Sequence, residues 1–185
     1  MKHVIKPALA LFTIAAVATT LLILVQNLTS EPIENQRRRT QENGMMAVLP
    51  ETSQFNKISL QESGNIHSVY EGVSGGETIG YVVELSPSGY SGPINILVGI
   101  STLKNEISGM RVIRHSETPG LGALIVREDF FRRFDNRRLV PLRVVTATPG
   151  ENDIEALSGA TISTRAITNA VNEAIEWFYR YKSAD

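Results

Sequence analysis

The hydrophobic pattern separates an apolar N-terminal run from a longer segment in which short apolar runs alternate with polar turns. Residues 7–25, PALALFTIAAVATTLLILV, carry no charged side chain. At about 1.5 Å per helical residue, a run of this length crosses a hydrocarbon core of ~30 Å. The run therefore predicts a single transmembrane helix.

A cleaved signal peptide is the alternative interpretation of this run, because signal peptides also place an apolar stretch near the N-terminus. Their apolar region is shorter and ends at a small-x-small cleavage site. Here the run continues into QNLTSEPIENQ, which contains no A-x-A site. The sequence favours an uncleaved anchor.

The charges on either side of the run predict its orientation. Lys2 and Lys6 precede the run, whereas Glu31 and Glu34 come first after it, followed by three arginines at 37–39. A short N-terminal tail with two lysines tends to remain in the cytoplasm. We expect a single-pass protein of the bacterial inner membrane, with its N-terminus in the cytoplasm and its soluble domain in the periplasm.

The pattern beyond the anchor predicts a helical stalk and then a mixed domain. Polar residues dominate 31–47, where Pro32 occupies a favourable position for a helix start. The predicted division is a cytoplasmic tail and anchor over 1–28, a stalk helix over 29–50 and a soluble domain over 51–185.

Short apolar runs rich in β-branched residues predict strands in the first half of the soluble domain, with a turn at GVSGG, residues 72–76. The predicted strands span residues 57–61, 66–71, 78–86, 94–101 and 107–114. The segment PSGYSGP is predicted to be the loop between two of these strands, because its glycines and prolines break regular structure. The last strand of this series is expected to complete an antiparallel meander.

The second half combines helices with one further strand. REDFFRRFDNRRL places Phe130 and Phe134 one helical turn apart, and its arginines are interpreted as a solvated face rather than a dedicated anion or lipid site. A strand is predicted at 142–147 and a turn at 148–152. Apolar residues at three- and four-residue steps predict a final amphipathic helix: Ile162, Ala166, Ile167, Ala170, Val171, Ala174, Ile175 and Phe178. These elements predict an α+β fold, with an antiparallel sheet and flanking helices.

Composition excludes several classes of chemistry. The chain has no cysteine, which excludes disulfides, thiolate catalysis, iron–sulfur clusters and thiolate zinc sites. Its histidines, His3, His67 and His115, are far apart in the sequence, so no metal site is expected. A net charge of -1 gives no attraction to nucleic acid.

Two loops carry the candidate chemistry. SGAT, residues 158–161, is a turn of small residues before the last helix, where free backbone N–H groups and the helix dipole favour a phosphate. An ordinary loop before a helix capped by Ser163 or Thr164 is the structural alternative. The second loop, HSETPGLG at 115–122, has a rigid turn around Pro119 against which a flat ligand can lie. Its alternative is an ordinary turn between a strand and a helix.

In this order and behind a single span, the two motifs resemble the FMN-binding subunits of two related membrane complexes. These are the G subunit of the Rnf electron-transport complex and the C subunit of the sodium-pumping NADH:quinone reductase. The compact length and GYSGPINILVGIS, residues 89–101, are more similar to the Rnf protein, and the resemblance covers essentially the whole chain. It implies a flavoprotein that relays electrons among other subunits of an ion-translocating complex, without substrate turnover of its own.

The resemblance also implies site residues. In the family a flavin transferase moves FMN from FAD onto the last threonine of the S/T-G-A-T motif through a phosphoester, and that residue is Thr161 here. The remaining residues expected at the cofactor are Ser158, Gly159, Ala160, His115, Glu117, Thr118, Gly120, Leu121 and Gly122. Glu117 and Thr118 are expected to supply hydrogen bonds, and bulk at Gly120 or Gly122 is expected to intrude on the flavin ring.

One position departs from the family pattern, which usually has aspartate three residues before the serine. Glu155 stands there, one methylene longer with the same charge. Two other functions remain open from the sequence. One is a covalent-flavin protein of another periplasmic electron-transfer system, and the other is an anchored binding module with no redox role.

Overall fold

The computed structural model describes residues 2–59 and 64–183. The chain forms two units, one up to Gln41 and one from Glu42. The first element is a helix, α1, Lys2–Val48, which includes both the predicted anchor and most of the predicted stalk. Its apolar part is exposed and is long and apolar enough to cross a membrane.

Pro32 lies inside α1 rather than at the start of a second helix, so the predicted helix start was wrong. Proline removes one hydrogen bond from a helix, and the residues on both sides keep the rest of the ladder. Just before it, the hydroxyls of Thr29 and Ser30 donate to the carbonyls of Val25 and Asn27.

An antiparallel sheet forms the centre of the second unit. Its strands are β1 Gln54–Ile58, β2 Ile66–Ser74, β3 Glu77–Leu85, β4 Asn95–Ser101, β5 Glu106–Arg114 and β6 Arg137–Arg138. They lie side by side in chain order, which confirms the predicted meander. The turn predicted at 72–76 is shorter, because residues 72–74 pair with β3 as the end of β2. The first strand begins at Gln54 instead of residue 57, and residues 60 and 61 of the predicted strand lie outside the described residues.

Alternate residues of the strands point to opposite faces of this sheet, and both faces are buried. Val83 and Val98 belong to the larger core, which is closed by the last helix, α3, Thr161–Lys182. Val82 and Leu97 belong to a smaller core. That core is closed by the end of α1 and the residue after it, through Met45, Val48 and Leu49.

The predicted amphipathic helix is present as α3, with a difference at its first turn. Ile162, which was assigned to the apolar face, is 54% exposed, whereas Ser163, Thr164 and Thr168 are buried. The hydroxyls of Thr164 and Thr168 each donate to the carbonyl four residues earlier. These bonds satisfy polar groups on a buried face, so the face that packs is wider than the apolar residues alone indicate.

The segment around Phe130 and Phe134, which the sequence places one helical turn apart, is divided into three short helical pieces. It contains a 3₁₀ helix at Gly122–Val126, a short helix α2 at Glu128–Phe131 and a second 3₁₀ helix at Arg132–Phe134. Phe130 and Phe134 are nevertheless fully buried, and their rings pack edge to face with centroids 5.6 Å apart.

Two short parallel strands, β7 Arg143–Val145 and β8 Asp153–Glu155, lead into α3. The sequence predicted β7, with bounds too wide, and missed β8. Three residues are too few to show a two-residue periodicity. The position of β8 matters because its end lies just before the SGAT turn.

Candidate functional site

The first turn of α3 has no side-chain cap. Gly159 has φ of +75°, and Ala160, the N-cap residue, makes no side-chain hydrogen bond to the helix. The amide of Ala160 donates to the carbonyl of Leu157 (3.0 Å), and the amide of Thr164 donates to the carbonyl of Ala160 (2.9 Å). Among the described residues, none accepts a hydrogen bond from the amides of 161–163. Three N–H groups and the positive end of the helix dipole are therefore free to bind an anion.

Ser163 and Thr164 do not cap α3, so the capping alternative was wrong. The Thr164 hydroxyl accepts from the amide of Leu157 at 3.2 Å and donates to the carbonyl of Ala160 at 2.9 Å. The Ser163 hydroxyl donates to Oε2 of Glu117 at 2.8 Å. The two hydroxyls therefore bond to Glu117, Leu157 and the Ala160 carbonyl, and not to the free amides at the start of the helix.

Glu117 joins three segments next to the start of α3. It is 5% exposed, and its Oε1 accepts from the amide of Ser91 at 3.1 Å while its Oε2 accepts from Ser163. A Cβ at Gly89 would lie 2.2 Å from Oε1, and one at Gly122 would lie 2.3 Å from Oε2. These glycines make room for the carboxylate. A side chain at Gly122 would therefore meet Glu117, and the expected effect of bulk there on the flavin ring stays a prediction.

The loop of residues 115–122 is closed by its own hydrogen bonds. The Thr118 carbonyl accepts from the amides of Leu121 (3.3 Å) and Ala123 (3.1 Å). The His115 Nδ1 accepts from the amide of Glu117 at 3.1 Å. Gly120 has φ of +79° with open space around a Cβ position, so it serves the backbone of the turn.

The two predicted loops meet at a cleft of about 380 Å³ at the start of α3. This volume falls within the range of small-molecule sites, roughly 300–1,000 Å³. The cleft is lined by Tyr90, Glu117, Thr118, Leu121, Gly122, Gly159, Ala160, Thr161, Ile162 and Ser163. Seven of the ten predicted site residues are thus brought together, whereas Ser158, His115 and Gly120 do not line the cleft.

Three of the lining residues were not predicted from the sequence. Tyr90 belongs to the PSGYSGP loop, which was interpreted as a connection and as part of a segment similar to the Rnf protein, but not as part of the site. Ile162 was assigned to the core because its spacing fits the apolar stripe. Nothing in the sequence near Ser163 indicates that its hydroxyl bonds to Glu117.

Glu155 is an exposed residue at the end of β8. Its Oε2 lies 3.7 Å from Nη1 of Arg133, and the same guanidinium donates to the Glu155 carbonyl. The described part of the chain has no group of three or more His, Asp and Glu side chains that could hold a metal ion.

Two families match different parts of the chain. Residues 89–176 match the FMN-binding domain family, and residues 1–48 match the family described as the RnfG N-terminal region. Both predicted loops and the whole cleft lie within the first of these matches.

Several relatives are similar over nearly the whole chain. The chain is 34% identical to the G subunit of the ion-translocating oxidoreductase complex of Methanosarcina acetivorans, with 95% of each chain covered. It is also 34% identical to the G subunit of the Na⁺-translocating ferredoxin:NAD⁺ oxidoreductase complex of Acetobacterium woodii, over 95% of this chain and 91% of the relative. The chain is 31% identical to the G subunit of the proton-translocating ferredoxin:NAD⁺ oxidoreductase complex of Clostridium ljungdahlii, over 89% of this chain and 86% of the relative.

Solved structures share the fold. NqrC of Shewanella oneidensis has a TM-score of 0.57 at 22% identity, covering 76% of this chain and 73% of that chain. The C subunit of the Na⁺-translocating NADH-quinone reductase from Parabacteroides distasonis has a TM-score of 0.57 at 17% identity. The match covers 76% of this chain and 90% of that chain. At these identities the likeness concerns the fold alone.

Proposed function

The chain belongs to the family of G subunits of ion-translocating oxidoreductase complexes, and on that premise we propose that it carries FMN joined through its phosphate to Thr161. Residues 89–176 are an FMN-binding domain. In this proposal the protein is a membrane-anchored flavoprotein that passes electrons between other subunits of such a complex. It has no substrate turnover of its own.

One observation carries the proposal. Thr161 is the first residue of α3 and lines the cleft, and three amides at 161–163 have no acceptor among the described residues. A helix N-terminus of this kind favours a phosphate, whose negative charge the amides and the dipole stabilise. Gly159 and Ala160 add little bulk beside it, so the residues present fit the phosphate end of FMN.

The neighbouring hydroxyls are less suitable for modification. Ser163 and Thr164 are buried and hydrogen-bonded. Ser158 is exposed but lies outside the cleft lining. The Thr161 hydroxyl has no hydrogen-bond partner in the described part of the chain and is only half-buried.

Attachment exchanges one phosphorus–oxygen bond for another. The Oγ1 of Thr161 loses its proton and forms a bond to the FMN phosphorus, while the pyrophosphate bond of FAD breaks and AMP leaves. A flavin transferase is therefore the proposed maturation partner. Once bound, the flavin supplies redox chemistry, and the chain holds it in place and shapes its surroundings.

The proposed location follows from α1. We place residues 1–28 in the cytoplasm and the inner membrane, residues 29–50 in a stalk and residues 51–185 in a periplasmic domain. The exposed apolar part of α1 supports contact with membrane lipid, since such a surface is stable only in an apolar environment.

Mass spectrometry tests the attachment directly. The full-length chain is produced in membranes together with a flavin transferase, and a denaturing gel under ultraviolet light should show a fluorescent band at its mass. Cleavage after Arg143 and Arg165 releases the peptide of residues 144–165, which holds all four candidate hydroxyls, and fragmentation should place FMN on Thr161. Omission of the transferase is the control and should remove the fluorescence. FMN on Ser158, Ser163 or Thr164 contradicts the assignment.

A further inference from the structure

Tyr90 differs from the other four tyrosines in its contacts. Tyr81 and Tyr181 pack against each other with ring centroids 5.5 Å apart, and the Tyr179 hydroxyl donates to a backbone carbonyl at 2.9 Å. Tyr70 also has a partner. Tyr90 makes no hydrogen bond and no ring contact with any described residue, and it is 73% exposed at the cleft. Its ring therefore adds little to the stability of the fold.

The backbone that carries this ring is nevertheless held on both sides. The amide of Gly89 donates to the carbonyl of Gly92 at 2.8 Å, and the amide of Ser91 donates to Glu117 at 3.1 Å. The hydroxyls of Ser91 and Thr118 are 3.3 Å apart. A loop fixed in this way presents the ring at the cleft with little loss of backbone freedom on binding.

Two more exposed apolar side chains line the same cleft. Leu121 is 51% exposed and Ile162 is 54% exposed. The cleft therefore combines free amides at residues 161–163 with apolar side chains that have no core to fill. In a ligand with a phosphate and a flat ring, the phosphate can bind the amides and the ring can pack against the apolar side chains.

We propose that Tyr90 packs against the isoalloxazine ring of the flavin attached at Thr161. In this proposal Glu117 positions the PSGYSGP loop and the start of α3 around the flavin. This inference rests on the proposed function. Glu117 is assigned the positioning role because its two carboxylate oxygens bond to Ser91, next to Tyr90, and to Ser163, in the first turn of α3. Aromatic contacts of this kind shift a docking equilibrium by about two- to tenfold.

Time-resolved flavin fluorescence tests the contact. Tyrosine donates an electron to an excited flavin at contact and shortens its lifetime. In the full-length chain with FMN on Thr161, Tyr90→Leu removes both the electron donor and the aromatic contact, so it should lose the short-lifetime component and lower the visible circular dichroism of the flavin. Tyr90→Phe should keep the native visible circular dichroism while losing the quenching. Tyr179→Leu, which removes a half-exposed tyrosine that does not line the cleft, is the matched control and should leave the lifetimes unchanged.

A second pair of variants tests the positioning role of Glu117. Glu117→Ala removes the hydrogen bonds to Ser91 and Ser163, and it should lengthen the flavin lifetimes as Tyr90→Leu does. Glu117→Gln keeps an oxygen for the Ser91 amide and an NH₂ group for the Ser163 hydroxyl, so it should stay close to native. A Glu117 that only stabilises the fold would lower the melting temperature in Glu117→Ala without moving the lifetimes.

The outcomes separate the two proposals. Unchanged lifetimes and circular dichroism in Tyr90→Leu, with FMN on Thr161 established by peptide mass spectrometry, overturn the inference alone. A native chain matured with the transferase that carries no flavin on Thr161 overturns the proposed function, and the inference with it.

Discussion

The hydroxyl of Ser163 donates a 2.8 Å hydrogen bond to Oε2 of Glu117, which lies 46 residues earlier in the chain. The two residues are 1% and 5% exposed. The bond joins the first turn of α3 to the loop of residues 115–122, which are the two segments that carry the motifs. The shape of the cleft between them therefore depends on a buried side-chain contact.

Removal of the Glu117 carboxylate should destabilise the fold. Glu117→Ala leaves the amide of Ser91 and the hydroxyl of Ser163 without acceptors, and we expect the free energy of unfolding to fall by about 2–3 kcal/mol. Glu117→Gln should cost less than half of that, because its amide offers one acceptor and one donor at the same positions. Denaturant unfolding of the full-length chain in detergent measures both. The control is Glu176→Ala, which removes an exposed glutamate on α3. Equal losses of unfolding free energy in Glu117→Ala and Glu117→Gln would contradict the role of these hydrogen bonds.

Substitution at Gly122 should act through Glu117. A Cβ there would lie 2.3 Å from Oε2 and 2.9 Å from the Cβ of Glu117, so Gly122→Ala should cost about 1–3 kcal/mol by overpacking, and Gly122→Leu more. Gly122→Leu should still accept flavin at Thr161 but alter its absorption spectrum or redox potential. Gly120→Ala is the matched control, because space around its Cβ is open and only a backbone cost of about 1 kcal/mol applies.

The cause of the Gly122 effect can be isolated with a double variant. If the clash is with Glu117, Gly122→Ala should cost less in a Glu117→Ala background than in the native one, as a coupling between contacting residues. Additive losses of stability would show that the alanine collides with something else.

The hydroxyl of Thr161 should be essential for covalent flavin and dispensable for folding. Thr161→Ala should abolish the fluorescent band and change the free energy of unfolding by no more than about 0.5 kcal/mol, since this hydroxyl has no partner among the described residues. Thr161→Ser should retain part of the flavin because it keeps the nucleophilic oxygen. Ser158→Ala should remain fully labelled, and undiminished flavin on Thr161→Ala would refute the attachment site.

The orientation of the anchor predicts where the C-terminus lies. A reporter that is active only outside the inner membrane should be active when fused after Asp185, and a reporter that needs the cytoplasm should be inactive there. Intact mass of the purified chain should include residues 1–25. A mature N-terminus near Ser30 would indicate a cleaved signal peptide instead of an anchor.

Regular elements with many residues were predictable because each carries its own periodicity. The runs that became β3, β4 and β5 alternate or are continuously apolar, and α3 repeats its apolar residues over several turns. Shorter elements were not predictable in this way. β6 and β8 have two and three residues and form because each pairs with a neighbouring strand.

The sequence by itself determined the apolar N-terminal run, the meander and the hydroxyl at the start of α3, because each depends on residues that are neighbours in the chain. Only the tertiary structure decided that Glu117 bonds to Ser91 and Ser163, and that Tyr90 and Ile162 line the cleft. These contacts join segments 26 and 46 residues apart. The packing of the sheet against α3 brings those segments together, and no local pattern records which distant polar group a buried carboxylate will meet.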